Sequence, residues 1–71
     1  MSIPIGAAVR RLDKFPLGKV VRGPRRASRG MLWVQWDDYP AGKVVQWNRP
    51  TLVYVARHYA TAVAWDEQQL K

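Results

Sequence analysis

The amino-acid sequence predicts a small all-β fold built from five short strands. Runs of β-branched and aromatic residues recur at intervals of about ten residues, and glycine, proline, asparagine and aspartate separate them. This spacing is typical of a compact β-barrel or β-sandwich. The chain has 71 residues and no cysteine, so disulfides and thiolate zinc sites are excluded as supports. The remaining supports for so small a fold are a dense aromatic core or self-association, and four Trp, three Tyr and one Phe favour the aromatic core.

Turn-forming residues set the limits of the five predicted strands. In chain order, the strands are AAVRRLD (7–13), GKVVR (18–22), MLWVQWD (31–37), KVVQW (43–47) and LVYVA (52–56). The segment DDYPAG (37–42) carries the acids, proline and glycine of a hairpin between the third and fourth strands. Pro50 stops the fourth strand and suits the start of a single helical turn before the fifth.

Alternation along the third strand places its two tryptophans on opposite faces of the sheet. Trp33 shares one face with Gln35, and the other face carries Leu32, Val34 and Trp36. We assign the second face to the core, because the amide of Gln35 would need a buried hydrogen-bonding partner. Trp36, like Trp47 in the fourth strand, is then a core filler, whereas Trp33 is expected to be at least partly exposed.

Residues 57–71 form an appendage whose pattern suits two structures. Tyr59, Ala62, Val63 and Leu70 fit one face of a helix, while Thr61, Val63 and Trp65 alternate as they would in a strand. A short terminal helix is the favoured prediction, with an extra strand as the alternative. Residues 1–71 are interpreted as a single domain in which the barrel covers about residues 6–56.

The order of these motifs resembles the small SH3-like barrels of the KOW and Tudor type. The segments that carry the resemblance are PLGKVVRG (16–23), LWVQWDD (32–38) and VVQWNRPTLVYV (44–55). The resemblance implies a Gly-x-Val second strand, a long first loop, a tight hairpin after the third strand and a one-turn helix before the last. The expected fold class is thus all-β, a five-stranded SH3-like barrel with a short C-terminal helix or extra strand.

A second resemblance is to the plasmid-encoded type II dihydrofolate reductases. These enzymes are SH3-like tetramers of similar length, and their fourth strand carries a Val-Gln-Ile-Tyr motif. The corresponding residues here are Val45, Gln46, Trp47 and Asn48, of which two match. The tyrosine is absent and the bulky Trp47 replaces isoleucine, which argues against the symmetric pore and the cofactor contacts of that family. An enzyme of this type is the least favoured interpretation.

The positive charge of the chain is concentrated in its first half. Twelve Lys and Arg against five Asp and Glu give a formal net charge of +7. Eight of the twelve lie between Arg10 and Arg29, where Asp13 is the only acid. Such a basic half favours nucleic acid, an anionic surface or an acidic protein partner, and solubility alone is the alternative explanation.

Arginine dominates the segment that runs from the last residue of the second predicted strand to the third, residues 22–30. Its four arginines are separated by small or stiff residues, which leave the guanidinium groups free to contact a partner. A planar guanidinium donates paired hydrogen bonds to phosphate and stacks on bases, so we predict nucleic-acid binding, with aromatic residues as stacking platforms. The predicted binding residues are Arg11, Lys19, Arg22, Arg25, Arg26, Arg29, Trp33 and Tyr39. A solvated connection between strands is the alternative.

Two further uses of the aromatic residues stay open. A protein-interaction module would present Trp33, Val44 and Gln46 on an outward sheet face to a partner or to a second copy of the chain. An aromatic cage for a methylated cation would use Trp36 and Tyr39 with the acids between them. A net positive module is a poor host for a cationic tail, which makes the cage the weaker alternative.

The sequence does not predict catalysis. The paired acids at 37–38 and 66–67 are adjacent, which aims their carboxylates apart, and His58 is the only histidine. No phosphate-binding glycine motif occurs, so we expect no enzymatic activity, no cofactor and no metal. No apolar run reaches the roughly eighteen residues of a membrane span. The predicted function is that of a cytoplasmic, non-catalytic accessory protein that binds DNA or RNA, of the kind found on phages and mobile elements.

Overall fold

Five short strands form one antiparallel sheet in the computed structural model, which describes residues 2–69. The strands are β1 (Ala8–Arg11), β2 (Leu17–Val20), β3 (Met31–Trp36), β4 (Val45–Asn48) and β5 (Leu52–Ala56). A 3₁₀ turn (Arg49–Thr51) precedes β5, and the helix α1 (Tyr59–Gln69) follows it. The predicted five-stranded all-β fold with a short C-terminal helix is confirmed. Leu70, which the predicted helix face included, lies outside the described residues.

The order of strands across the sheet is β4-β3-β2-β1-β5. β1 pairs with β2 on one side and with β5 on the other, and the register with β5 shifts between Ala8 and Val9. β4 and β5 therefore occupy opposite edges although only the 3₁₀ turn separates them in the chain. The sheet must curl for this turn to connect its edges, and within residues 2–69 the two edge strands are not hydrogen-bonded to each other.

The predicted turns form where their residues require them. In the hairpin between β3 and β4, the amide of Tyr39 donates to the carbonyl of Trp36 at 3.1 Å, and Gly42 adopts a φ of +81° that favours glycine. Pro50 stands at the start of the 3₁₀ turn, as its fixed φ allows. The hydroxyl of Thr51 donates to the carbonyl of Asn48 at 2.8 Å and closes that turn.

Trp36 is the largest fully buried side chain of the core. The ring of Trp47 packs edge-on against it, with centroids 5.2 Å apart and planes at 73°. Gly18 lies beneath the Trp36 ring, because a Cβ at this position would be 2.5 Å from Cε3 of Trp36. The same cluster contains Ala7, Val9, Val20, Val34 and Leu52. The core positions predicted for Trp36 and Val34 are confirmed, whereas Leu32 and Trp47 pack against the cluster as half-buried neighbours.

Small side chains hold the helix α1 against the outer face of the sheet. Ala62 is fully buried against a second cluster that also contains Ala8, Leu17 and Ala56. The amide of Tyr59 donates to the carbonyl of Gly6 at 2.9 Å, which fixes the start of the helix. The Tyr59 hydroxyl donates to Oδ1 of Asp37 at 2.5 Å and joins the helix to the β3–β4 hairpin. Burial and this hydrogen bond raise the pKa of Tyr59 to about 12.

We expect Tyr59→Phe to make the fold less sensitive to alkali. Because the folded pKa of Tyr59 is raised above the ordinary 10.0, its stabilisation is complete below about pH 10 and is lost as the pH rises towards 12. The free energy of unfolding, measured in urea by tryptophan fluorescence, should fall more steeply over this interval in the wild type than in the variant. Tyr54→Phe, which changes an exposed tyrosine, should keep the wild-type slope. Equal slopes for the wild type and Tyr59→Phe would contradict the expectation.

Candidate nucleic-acid interface

The arginine loop, residues 21–30, folds back over the outer face of β3 and covers Trp33. The Trp33 side chain is only 8% exposed. Its indole Nε1 donates to the carbonyl of Arg25 at 2.8 Å, and the Val21 amide donates to the carbonyl of Trp33 at 3.0 Å. Gly23 rests on the indole ring so closely that a Cβ there would overlap it. Trp33 therefore fixes the position of the loop by packing against it and by hydrogen bonding to its backbone.

The prediction that Trp33 is exposed is wrong, and with it the assignment of Trp33 as a stacking platform. Alternation correctly places this side chain on the face opposite Trp36. That face is not free, however, because the loop that follows β2 returns across it. The glycine at position 23 allows the backbone to reach the ring. Trp33 therefore supports the loop and is too buried to serve as an open stacking platform.

Hydrogen bonds also fix the far side of the arginine loop. The Ser28 amide donates to Oε1 of Gln46 at 2.6 Å, and the Met31 amide donates to the Ser28 carbonyl at 3.0 Å. The Gly30 carbonyl accepts a hydrogen bond of 2.9 Å from the Arg49 amide. The loop is thus attached to β3, to β4 and to the 3₁₀ turn.

These attachments correct the prediction of a protein-binding face at Trp33, Val44 and Gln46. Trp33 is buried, Gln46 is bound to the loop backbone, and Val44 is half-buried. The loop itself covers the face that a partner was expected to contact. Gln46 is also one of the two residues that match the reductase motif, and its amide oxygen is engaged with Ser28.

All four arginines of the loop are exposed, namely Arg22, Arg25, Arg26 and Arg29. Within residues 2–69 the ion pairs are Arg10–Asp66 and Arg11–Asp38, so no acid of the described chain neutralises a loop arginine. The Arg25 guanidinium lies 5.3 Å from the centroid of the Trp33 ring. The guanidinium groups of the arginine loop therefore face solvent, while hydrogen bonds hold the loop backbone in place.

A groove of about 390 Å³ runs between the arginine loop and the N-terminal segment. Arg22, Arg25 and Arg26 line it on the loop side, and Ile3 and Ile5 line it on the other. We call the remaining lining residues its floor, and all of them except Gly23 are apolar; they are Val20, Val21, Gly23, Ala27, Leu32 and Trp33. We did not predict this groove from the sequence. The only signal was the pair of isoleucines in the segment MSIPIG, which no predicted strand included.

Arg11 is not available to a phosphate, which corrects its predicted role in binding. The residue is 7% exposed, and its Nη2 donates to Oδ1 of Asp38 at 2.7 Å. The guanidinium carbon lies 4.4 Å from the centroid of the Trp36 ring and within 5.9 Å of the ring centroids of Tyr39 and Trp47. The aromatic residues considered for a methylated cation thus enclose an arginine of the same chain. Hydrogen bonding to Arg11 is the main reason that the pKa of Asp38 lies below its ordinary value.

The remaining predicted binding residues lie apart from the arginine groove. Tyr39 is half-buried and is one of the three rings around Arg11. Its ring centroid also lies 5.5 Å from Nζ of Lys43. Lys19 is exposed on β2 and lines a separate depression, which Tyr39 and Tyr59 also line. The groove therefore brings together Arg22, Arg25 and Arg26. Arg29 does not line it, and Arg11, Lys19 and Tyr39 lie elsewhere. Sequence position alone did not distinguish these two groups.

The described residues 2–69 contain no group of three or more His, Cys, Asp or Glu side chains placed to hold a metal ion. None of the described helices is long and apolar enough to cross a membrane.

Comparisons with family models, with curated proteins and with solved structures find no match to this chain. The resemblances to KOW- and Tudor-type barrels and to the type II reductases therefore stay predictions that rest on short motifs.

Proposed function

We propose that this chain is a small non-catalytic protein that binds nucleic acid through the arginine loop. The observation that supports this proposal best is the combination of four exposed arginines with a loop backbone pinned by Trp33 and Gln46. A polyanion is the partner that such a surface suits, because several phosphates can meet several guanidinium groups at once. The counterions released on binding then make the affinity depend strongly on salt.

The pinned backbone favours binding over a merely solvated connection. A mobile loop would lose conformational freedom when a ligand orders it, and this loss would reduce the affinity. Here the folding of the domain has already restricted the loop through the Trp33 and Gln46 hydrogen bonds. The arginine side chains still lose rotamer freedom, but the backbone beneath them does not have to be ordered again.

The groove beside the loop supports contact with more than phosphate. Its apolar floor lies next to Arg22, Arg25 and Arg26, so a nucleotide can place its phosphate at the rim and its base or sugar against the floor. An apolar groove thus takes the place of the exposed stacking surface expected at Trp33. The proposed protein is an accessory factor of the cytoplasm, of the kind that phages and mobile elements encode.

Removal of two groove arginines should weaken nucleic-acid binding and reduce its salt dependence. We expect Arg25→Ala/Arg26→Ala to lower the slope of log affinity against log salt by about 1.4 on single strands and about 1.8 on duplexes, since each lost phosphate contact contributes about 0.7 or 0.9. Fluorescence anisotropy of labelled single- and double-stranded oligonucleotides at several salt concentrations measures this slope. Circular dichroism should show an unchanged fold, because both side chains are exposed.

Arg49→Ala/Arg57→Ala is the matched control for this experiment. It removes the same charge from two exposed arginines that do not line the groove. We expect this control to keep most of the wild-type salt slope. Equal losses in the two double variants would show that net charge alone drives binding. Absence of binding by the wild type at low salt would overturn the proposed function and direct the search to acidic protein partners.

A further inference from the structure

Four large apolar side chains are exposed together at the end of the sheet remote from the arginine loop. They are Leu12, Phe15, Val53 and Trp65, and we refer to them as the apolar patch. Phe15 is 88% exposed and Trp65 is 50% exposed. The two rings border one depression of about 660 Å³, and a second depression joins Phe15 to Leu12 and Val53. The arginine loop follows β2, whereas Leu12 and Phe15 precede it, so the two surfaces lie at opposite ends of that strand.

The fold holds the apolar patch in its exposed arrangement. The side chain of Arg10 donates from Nε to the carbonyl of Phe15 at 2.9 Å. Its Nη2 donates to both carboxylate oxygens of Asp66, at 2.9 and 2.7 Å. Arg10 therefore ties the loop between β1 and β2 to the helix α1 and sets Phe15 and Trp65 around one ion pair. Exposed aromatic side chains grouped in this way mark a candidate surface for a partner.

The charges at the apolar patch are balanced, unlike those at the arginine loop. Asp13 and Lys14 stand between Leu12 and Phe15 in the sequence, and neither takes part in an ion pair within residues 2–69. A strongly basic chain repels a second copy of itself over most of its surface. At this patch, however, a two-fold axis can set Asp13 of one copy against Lys14 of the other, because a symmetric interface pairs a surface with itself.

We propose that the apolar patch is the interface of a symmetric dimer, and that the occupant is a second copy of this chain. The patch meets the requirements of a self-complementary surface, since it offers aromatic anchors at its centre and both signs of charge beside them. β5 is an edge strand that pairs only with β1 in the described sheet, and the exposed side chain of Val53 lets β5 extend the contact. The dimer presents both arginine loops away from the interface. The dimer forms whether or not the chain binds nucleic acid.

Sedimentation equilibrium of the full chain tests the dimer. We expect the apparent mass to rise with concentration from 8.2 kDa towards twice that value between micromolar and millimolar protein. Phe15→Ser and Trp65→Ser should each raise the dissociation constant at least about tenfold, as loss of an interface anchor does. Both side chains are exposed, so circular dichroism should report an intact fold. Ile5→Ser is the matched control, because Ile5 is also exposed but lines the arginine groove.

A charge exchange separates the proposed interface from non-specific association. Lys14→Asp should weaken the dimer, because it sets acids of the two copies against each other. Asp13→Lys/Lys14→Asp should restore it, because the exchanged charges again complement each other across the two-fold axis. A mass of 8.2 kDa at every concentration would overturn the proposal. Dimerisation that Phe15→Ser leaves unchanged, or that the double exchange does not restore, would also overturn it.

Discussion

Trp36→Ala is expected to remove a large share of the free energy of unfolding. Replacement of a buried tryptophan by alanine costs about 3–5 kcal/mol, because the transfer free energy of the ring is lost and a cavity remains. A domain of this length has a total stability of about 4–11 kcal/mol. Trp36 also packs against the ring of Trp47 and covers Gly18. Of the three rings around the Arg11 guanidinium, that of Trp36 lies closest. Its removal therefore affects contacts on three sides.

Urea denaturation followed by far-ultraviolet circular dichroism measures this loss without relying on tryptophan emission. Trp65→Ala is the matched control, because it removes the same ring from a half-exposed position on α1. We expect that control to lower the free energy of unfolding by less than about 1 kcal/mol. Both variants are compared at low micromolar concentration, so that association through the apolar patch does not contribute. A folded Trp36→Ala with a midpoint close to that of the wild type would contradict the proposed core.

Arg11→Ala is expected to cost about 2–4 kcal/mol of unfolding free energy. The substitution removes the guanidinium from among the rings of Trp36, Tyr39 and Trp47 and leaves a hole where its stem packs. The Asp38 side chain is 37% exposed, so water can solvate the carboxylate that loses its partner. The cost therefore comes mainly from packing and from the lost interaction between cation and rings. Arg10→Ala, the control, breaks a more exposed pair and should cost about 1 kcal/mol or less.

Arg11→Met distinguishes packing from charge at this position. Methionine keeps much of the side-chain length, and it removes Nε, which has no hydrogen-bond partner among the described residues although it is buried. We expect Arg11→Met to retain most of the stability that Arg11→Ala loses, as apolar replacement of buried ionic groups often does. Equal losses in the two variants would show that the charge of Arg11 contributes more than its packing.

The pH dependence of stability gives a second measurement of the Arg11–Asp38 pair. The folded pKa of Asp38 lies below its ordinary value, mainly because of its hydrogen bond to Arg11. The pair therefore stabilises the fold above the ordinary Asp range, and this contribution is lost as the pH falls through the lowered pKa. In Arg11→Met, the free energy of unfolding should fall less steeply than in the wild type as the pH is lowered through the acid range. The same acid dependence in the variant and the wild type would show that Arg11 does not lower the pKa of Asp38.

The structure changes how the basic half of the chain is interpreted. The sequence offers eight cations between Arg10 and Arg29 as one positive surface. In the fold, the arginines of β1 are neutralised by Asp38 and Asp66, while those of the arginine loop stay exposed above a groove. The proposed interface is thus smaller than the charge distribution suggested. Its backbone geometry is also fixed, because hydrogen bonds from Trp33 and to Gln46 hold the arginine loop in place.

The sequence by itself determined the elements of this fold. Alternation, turn chemistry and the fixed φ of Pro50 act between residues that are close in the chain, so five strands, the hairpin, the 3₁₀ turn and the core position of Trp36 were predictable. The helix was also favoured over a strand, although its pattern suited both. Each of these predictions depends on local geometry.

Only the tertiary structure decided which surfaces are free. Whether Trp33 is covered depends on the path of a ten-residue loop, and the capture of Arg11 depends on Asp38, which lies 27 positions away in the chain. The exposure of Phe15 beside Trp65 likewise depends on how α1 packs across the sheet. Periodicity places a side chain on a face of a strand but contains no information about what covers that face. Contacts between distant segments settle that question, and with it the location of the candidate binding sites.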